Sequence, residues 1–308
     1  MAKKDLLSIY DLTVEEISVL LEEAFKLKSE KKYLDVFKGK TLGMIFEKPS
    51  TRTRVSFTVA MIQLGGAPIA LNPENLQRKR GESIHDTAVV LSSYLNGLVI
   101  RAFKHSDTEE FAKYSTIPVI NALSDYEHPC QVVADIMTVM ELHKIKTIKA
   151  LREIKIVYTG DSNNVANSLL AMAAVLGLNF TLISPEQCLP KKYVRDKASE
   201  YALASGAEIK ITSDIAEAEG ADVIYTDVWL SMGCETEKKD RKKVFVPYQV
   251  NAGLLRKASP GCIVLHCLPA VRGEEITAEI IDKYEYSIFT QAENRLHAQK
   301  AILMRFLV

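Results

Sequence analysis

The sequence lacks any run of about 18 consecutive apolar residues, the length that a helix needs to cross a bilayer, so no membrane span is expected. Its first residues, MAKKD, lack the apolar segment and cleavage site of a secretory signal, which favours the cytoplasm. An excess of one charge is also missing, because 39 lysines and arginines balance 39 aspartates and glutamates. This balance argues against functions that need a strongly basic protein, such as non-specific nucleic-acid binding.

Cysteine is scarce, and its spacing is irregular. The five cysteines are odd in number and form no C-x-x-C pair. We therefore expect neither a disulfide framework nor a structural zinc site, and a reducing compartment fits this pattern. The five are Cys130, Cys188, Cys234, Cys262 and Cys267.

Complete nucleotide-binding motifs are missing too. Gly39-Lys40-Thr41 resembles the end of a P-loop, but Leu34 stands where the first glycine belongs. The segment 160–164 follows a predicted strand but does not supply the G-x-G-x-x-G pattern of dinucleotide sites. A dinucleotide-dependent oxidoreductase is therefore disfavoured.

What the sequence does contain is a regular alternation of β-branched runs and helix-period segments over 308 residues. Such alternation predicts βαβ units and parallel sheets, and the length suits two domains. We predict an α/β protein of two doubly wound domains, each a central, mostly parallel sheet flanked by helices. The predicted boundaries are 1–143, completed by a C-terminal helix over 292–308, and 144–291. The predicted strands are Thr41–Phe46, Leu98–Arg101, Val119–Asn121, Ile154–Thr159, Phe180–Ile183, Glu208–Ile211, Val223–Thr226 and Cys262–Leu265.

The most informative segment follows the first predicted strand and reads EKPSTRTR over residues 47–54. Ser50 is a favourable N-cap for the helix that follows, and the first-turn amides have no intrahelical acceptors. Hydroxyls of Ser50, Thr51 and Thr53 together with the Arg52 guanidinium would converge on one anion. The segment therefore predicts a phosphate site at a helix N-terminus.

A second predicted helix start lies in the segment DYEHPCQ over residues 125–131, with Pro129 near the first turn. His128 and Gln131 would present donors there, able to polarise a carbonyl and to hold an amide.

Polar clusters follow three predicted strands of the second half, and ligands bind outside the carboxyl ends of parallel strands. Asp227 is a candidate partner for an amine, Asn163 or Asn164 for a carboxylate or carbonyl, and Cys267 a candidate soft acceptor or weak base. No metal is expected, because the cysteines and histidines lack zinc-type spacing.

Together these motifs resemble the carbamoyltransferase family, and within it the ornithine branch. The resemblance covers essentially the whole chain. It is carried by five ordered motifs: Ser50–Arg54, His128–Gln131, Asp227–Gly233, His266–Pro269 and Glu293–Arg295. It implies transfer of a carbamoyl group from carbamoyl phosphate to L-ornithine, in arginine biosynthesis or catabolism, without a cofactor. It also implies an active site in a cleft between a carbamoyl phosphate domain and an ornithine domain.

The resemblance further implies a role for each matching residue. His128 and Arg101 would polarise the carbamoyl oxygen, and Gln131 would hold the carbamoyl amine. Cys267, beside Asp227, would assist deprotonation of the ornithine δ-amine, and a cis Leu268–Pro269 bond is expected. Carbamoyl phosphate would be bound by Ser50, Thr51, Arg52, Thr53, Gln77, Arg101, His128, Gln131, Cys267, Leu268 and Arg295. Ornithine would be bound by Asn164, Asp227, Ser231 and Met232.

The basic segment 75–82 is predicted to be a loop, and by the same resemblance its Gln77 reaches the carbamoyl phosphate pocket of a neighbouring subunit. The implied assembly is a homotrimer with shared sites, which could associate further.

The rival functions are carbamoyl transfer to another acceptor and a non-catalytic role. Putrescine lacks the α-carboxylate that Asn164 and Met232 would bind, and aspartate would require cationic groups near Asp227; a modified ornithine is a third alternative acceptor. A non-catalytic relative would be expected to lack Arg52, His128 or Arg295, and all three are present.

Overall fold

The computed structural model describes residues 3–30, 34–229 and 238–308. The chain divides into two compact units. The first unit comprises Met1–Met137 with Glu293–Val308, and the second comprises Thr138–Ala292. Within the described residues, no helix is long and apolar enough to cross a membrane.

The two units have the alternating elements of α/β proteins. The strands are β1 (Thr41–Phe46), β2 (Ala67–Leu71), β3 (Gly97–Arg101), β4 (Val119–Leu123), β5 (Lys155–Thr159), β6 (Asn179–Ile183), β7 (Glu208–Thr212), β8 (Val223–Thr226) and β9 (Ile263–His266). The α-helices are α1 (Val14–Glu30), α2 (Thr51–Gln63), α3 (Ile84–Tyr94), α4 (His105–Tyr114), α5 (Pro129–Leu142), α6 (Ile148–Leu151), α7 (Asn164–Leu176), α8 (Lys192–Ser205), α9 (Lys238–Phe245), α10 (Ala252–Leu255), α11 (Ala278–Lys283) and α12 (Glu285–Leu307).

The first unit is built on a four-stranded sheet of order β2-β1-β3-β4, in which all pairs are parallel. The inner strands β1 and β3 are almost entirely buried, as expected for β-branched and leucine-rich strands covered on both faces. Strand β2 was not predicted from the sequence. It lies at the sheet edge, is largely exposed and contains Pro68, which an edge strand tolerates.

The second unit contains a five-stranded, fully parallel sheet of order β7-β6-β5-β8-β9. Its core on one side includes Val157, Ile224 and Val264 from the three adjacent strands β5, β8 and β9. The α/β class and the parallel sheets predicted from the sequence are thus confirmed. The C-terminal helix is longer than predicted, because α12 begins at Glu285 rather than at 292.

Candidate active site

The turn between β1 and α2 brings the predicted phosphate-binding residues to a helix start in the first unit. The Ser50 hydroxyl caps α2 by accepting a hydrogen bond from the Thr53 amide at 3.3 Å. Arg52 is half-buried, and among the described residues its guanidinium forms no hydrogen bond or ion pair. Arg54 instead contacts Asn72 at 3.1 Å and lies over the Phe46 ring. One unpaired cation therefore accompanies the amides of the helix N-terminus, as an anion site requires.

Arg295 connects this helix start to α5. Its Nη2 donates to the Thr53 hydroxyl at 2.9 Å, and its Nη1 donates to the Gln131 Oε1. Gln131 in turn donates from Nε2 to the Asp135 Oδ1 at 2.8 Å. All four side chains are buried, so α2, α5 and α12 together hold a desolvated polar chain. Asp135 was missed from the sequence, although its spacing of four residues from Gln131 places both on one face of a helix.

His128 precedes α5 and is buried beside two guanidinium charges. Burial lowers the pKa of His128 well below its ordinary value of 6.5, and the charges of Arg295 and Arg101 lower it further. Arg101 ends β3 and is itself buried. The imidazole is therefore neutral near pH 7, with one N–H donor and one acceptor nitrogen. Such a group can donate to a polarised carbonyl without adding a third positive charge.

The lowered pKa of His128 predicts a specific acid sensitivity. Below pH 6.5 His128 binds a proton in the unfolded chain but not in the folded chain. The free energy of unfolding therefore falls as pH falls. We expect the wild type to lose up to about 1.4 kcal/mol per pH unit more than His128→Gln in that window. Thermal unfolding across pH checks this, with His85→Gln, an exposed histidine, as the control. Equal acid sensitivity of wild type and His128→Gln would contradict the expectation.

Asp227 follows β8 in the second unit and accepts three hydrogen bonds. Its Oδ1 accepts from the Val228 amide at 2.8 Å and from the Cys267 thiol at 3.0 Å. Its Oδ2 accepts from the Asn163 Nδ2 at 2.7 Å. Asn163 also caps α7, because its Oδ1 accepts from the first-turn amides. Asn163 is therefore the asparagine that is hydrogen-bonded to Asp227, whereas Asn164 is the first residue of α7.

The turn after β9 carries Cys267 and Leu268. The Leu268–Pro269 peptide bond is cis, as expected. Leu268 has a φ of 57°, in the left-handed region that non-glycine residues rarely occupy and that clusters at functional sites. Its amide donates to the His266 Nδ1 at 2.9 Å. The backbone that presents Cys267 is thus held by a side chain of its own turn.

Asp227, His266 and Cys267 bring possible metal ligand atoms within 4.8 Å of one another. Each of these three side chains already forms hydrogen bonds within the protein. The two ring nitrogens of His266 contact the Leu268 amide and the Glu275 carboxylate, and the oxygens of Asp227 accept three donors. A metal ion could bind to this cluster only by displacing these hydrogen bonds.

The other predicted site residues lie apart from these contacts. Thr51 is exposed in the first turn of α2, and Gln77 is exposed in a 3₁₀ turn over Gln77–Arg80. In that turn Arg78 pairs with Glu47 at 2.8 Å. The predicted ornithine ligands Ser231 and Met232 lie outside the described residues.

Two family models match the chain. The model described as aspartate/ornithine carbamoyltransferase, carbamoyl-P binding domain, matches residues 4–141. The model described as aspartate/ornithine carbamoyltransferase, Asp/Orn binding domain, matches residues 152–306. The chain belongs to the aspartate/ornithine carbamoyltransferase family.

Relatives within the carbamoyltransferase family span nearly the whole chain. It is 49% identical over 307 residues to the anabolic ornithine carbamoyltransferase of Pyrococcus furiosus, with 98% of this chain and 96% of that protein covered. Identity to the ornithine carbamoyltransferase of Oceanobacillus iheyensis is 52% over 305 residues, covering 97% of this chain and 93% of that protein. The solved anabolic ornithine carbamoyltransferase of Campylobacter jejuni superposes with a TM-score of 0.92 at 40% identity, covering 98% of each chain.

Proposed function

We propose that this carbamoyltransferase moves the carbamoyl group of carbamoyl phosphate to the δ-amine of L-ornithine, releasing L-citrulline and phosphate. The observation that carries the proposal is the buried chain formed by Thr53, Arg295 and Gln131 beside neutral His128. Support for the acceptor comes from relatives near 50% identity that are named ornithine carbamoyltransferase. The anabolic names of the P. furiosus and C. jejuni proteins favour the biosynthetic direction.

Carbamoyl phosphate is bound by the first unit in this proposal. Ser50 at the N-cap and Thr51 and Thr53 in the first turn of α2 donate to the phosphate, and the unpaired Arg52 guanidinium supplies the compensating charge. Gln131 holds the carbamoyl amine through an amide whose orientation is fixed by Arg295 and Asp135. Arg101 lies close enough to His128 for its charge to lower the histidine pKa, which supports their joint action on the carbamoyl oxygen.

The reaction forms a C–N bond and breaks the C–O bond to phosphate. When the amine attacks, negative charge develops on the carbamoyl oxygen and then on the departing phosphate. Donors from Arg101 and His128 stabilise the first charge, and Arg52 stabilises the second. Because Arg101 and His128 are buried, these two donors need little reorganisation during the reaction.

Ornithine is bound by the second unit. The carboxylate of Asp227 pairs with its α-amino group, and Asn164, Ser231 and Met232 bind the rest of the amino-acid end. The δ-ammonium must lose a proton before attack, because a primary ammonium ordinarily titrates near ~10.4. Cys267 is the proposed helper in this deprotonation: its sulfur takes the ammonium proton as its own thiol proton passes along the existing hydrogen bond to the Asp227 carboxylate. Full turnover of Cys267→Ala at every pH would contradict that role.

A product assay with carbamoyl phosphate and a panel of amines tests the proposed acceptor. The panel contains ornithine, N-acetylornithine, putrescine, lysine and aspartate. We expect citrulline from ornithine and no turnover with the other four, because only ornithine presents both an α-amino acid end and an unsubstituted terminal amine at the right distance. Turnover with another amine in place of ornithine would refute the acceptor assignment, and no turnover with any would refute the transfer.

We also propose a cytoplasmic homotrimer in which Gln77 contributes to a neighbouring subunit's site. None of the described cysteines forms a disulfide, in keeping with a reducing compartment. Apolar side chains exposed on the first unit support burial by a second copy. They include Val55 and Ile62 of α2, Ile69 of the edge strand β2, and Val89 and Tyr94 of α3.

The shared site predicts that activity depends on assembly. We expect a trimer in analytical ultracentrifugation and a strong rise in KM for carbamoyl phosphate in Gln77→Ala. Lys79→Ala changes an exposed residue of the same turn and should leave KM unchanged. Mixing Gln77→Ala with inactive Arg52→Ala subunits should restore part of the activity, since mixed trimers would contain some intact sites. A fully active monomer would contradict the proposal.

A further inference from the structure

Glu275 is a buried carboxylate that the proposed function does not use. It lies in the loop between β9 and α11 with no exposed surface. Its Oε1 accepts hydrogen bonds from the His266 Nε2 at 3.0 Å and from the Val271 amide at 2.6 Å. Among the described residues its Oε2 has no hydrogen-bond partner. Burying a carboxylate in this way is costly, and an apolar residue of similar volume would serve packing alone better.

The contacts of His266 define which ring nitrogen carries the proton. Nδ1 accepts the hydrogen bond from the Leu268 amide, so Nδ1 is unprotonated. The proton is then on Nε2, where it is donated to Glu275. The opposite tautomer would bring an Nδ1–H against the Leu268 N–H. Glu275 therefore selects the tautomer that can hold Leu268, and its negative charge makes Nδ1 a stronger acceptor.

Leu268 is where this hydrogen-bond chain reaches the candidate site. Its left-handed backbone is unfavourable for leucine, and the bond from its amide to His266 offsets that cost. The residue before it, Cys267, donates its thiol to Asp227. A shift of the Leu268 amide would displace the Cys267 backbone and change the direction of the thiol. The backbone amide of His266 is fixed separately, by donating to Gln291 at 2.9 Å.

We propose that Glu275 is a positioning residue for carbamoyl transfer, acting through the His266 tautomer to fix the Cys267–Leu268 turn. This inference rests on the proposed function, because Cys267 and Leu268 matter only if they face the substrates. In the proposed function, Glu275 touches neither substrate. It therefore affects the rate through geometry rather than through chemistry of its own.

The first test compares Glu275→Leu with Glu275→Gln. Leucine removes the acceptor for both donors, and we expect kcat to fall by about 10- to 100-fold, as for other small misplacements of reacting groups. Glutamine keeps an oxygen that can accept both bonds, so most of the activity should be retained. KM for carbamoyl phosphate should change less than kcat in both variants, because the groups on α2 are untouched.

Ser287→Ala is the matched control for stability. Ser287 is buried against β9, the strand that ends at His266, and its hydroxyl donates to the Val264 carbonyl at 2.6 Å. The variant should lower Tm while leaving kcat at the wild-type value. If Glu275→Leu retains wild-type kcat, or if Ser287→Ala loses as much activity as Glu275→Leu, the inference is overturned.

Two further measurements keep the inference testable if Glu275→Leu does not fold. His266→Asn places an amide oxygen near the position of Nδ1 and should be markedly more active than His266→Phe, which has no acceptor for the Leu268 amide. In addition, ¹⁵N NMR of labelled histidine should show His266 of the wild type protonated on Nε2 alone. Equal activity of the two His266 variants, or a proton on Nδ1, would overturn the inference. The NMR result does not depend on turnover, so it separates failure of this inference from failure of the proposed function.

Discussion

Replacing Arg295 by methionine is expected to lower kcat/KM for carbamoyl phosphate by about 100- to 1000-fold, the range typical for loss of one preorganised hydrogen-bond donor from an active site. Arg295 is the group to which both Thr53 and Gln131 bind. Its loss frees the Gln131 amide to rotate and removes a positive charge from beside the proposed phosphate. Lysine at this position keeps the charge but cannot donate to both partners in fixed geometry, so Arg295→Lys should also be impaired. Steady-state kinetics with carbamoyl phosphate varied would measure both losses.

Arg305→Met is the control for that experiment. Arg305 lies on the same helix, α12, but it is partly exposed and pairs with Glu16. An exposed ion pair contributes about 0–1 kcal/mol to stability, so the variant should keep wild-type kinetics and almost the same Tm. Arg295→Met should lose activity while it remains folded, as judged by Tm. If both variants have the same kcat/KM, Arg295 has no place in the carbamoyl phosphate site.

Asp227→Asn is expected to raise KM for ornithine by about 100-fold, because it replaces the proposed charged partner of the α-amino group by a neutral one. The donors around Asp227 add a second effect. Three donors already converge on its two oxygens, so an amide must turn its own NH₂ toward at least one of them. With its oxygen toward Val228 and Cys267, the amide nitrogen would face the Asn163 nitrogen. The substitution therefore loses the charge and also disturbs the cap of α7.

Asp222→Asn provides the comparison at the other end of the same strand. Asp222 precedes β8 and accepts a hydrogen bond from the Lys155 amide at 2.9 Å, whereas Asp227 follows β8. A change there alters one carboxylate of the second unit without touching the carboxyl end of the sheet. KM for ornithine should stay at the wild-type value in Asp222→Asn. An equal effect of the two substitutions would contradict the assignment of Asp227 to ornithine.

The fold was predictable where burial and sequence pattern agree. Inner strands such as β1 and β5 are continuous apolar runs, and the sequence pattern alone identifies them. Strand β2 escaped prediction because it contains Pro68 and only one β-branched residue, Ile69, so that its place depends on pairing with β1. The early start of α12 at Glu285 escaped for a similar reason, since its first turns contain exposed Tyr286 and Phe289, which blur the amphipathic period.

The candidate site was predictable where its residues are neighbours in the sequence. The cap of α2 by Ser50 is a local interaction, so the position of Ser50 three residues before Thr53 is enough to predict it. Long-range partners are different. The sequence around His266 does not indicate that this side chain is hydrogen-bonded to Glu275. It also does not indicate that Asn163 rather than Asn164 donates to Asp227. Those choices depend on which strand ends lie side by side and which way each side chain points.

The most direct test of the central claim is to follow the carbamoyl carbon itself. Carbamoyl phosphate labelled with ¹³C in the carbamoyl group is incubated with the wild-type protein and ornithine, and citrulline and phosphate are quantified together. We expect ¹³C in the ureido group of citrulline, with one phosphate released for each citrulline formed. Phosphate release without labelled citrulline, at the rate seen with ornithine omitted, would contradict carbamoyl transfer by this protein.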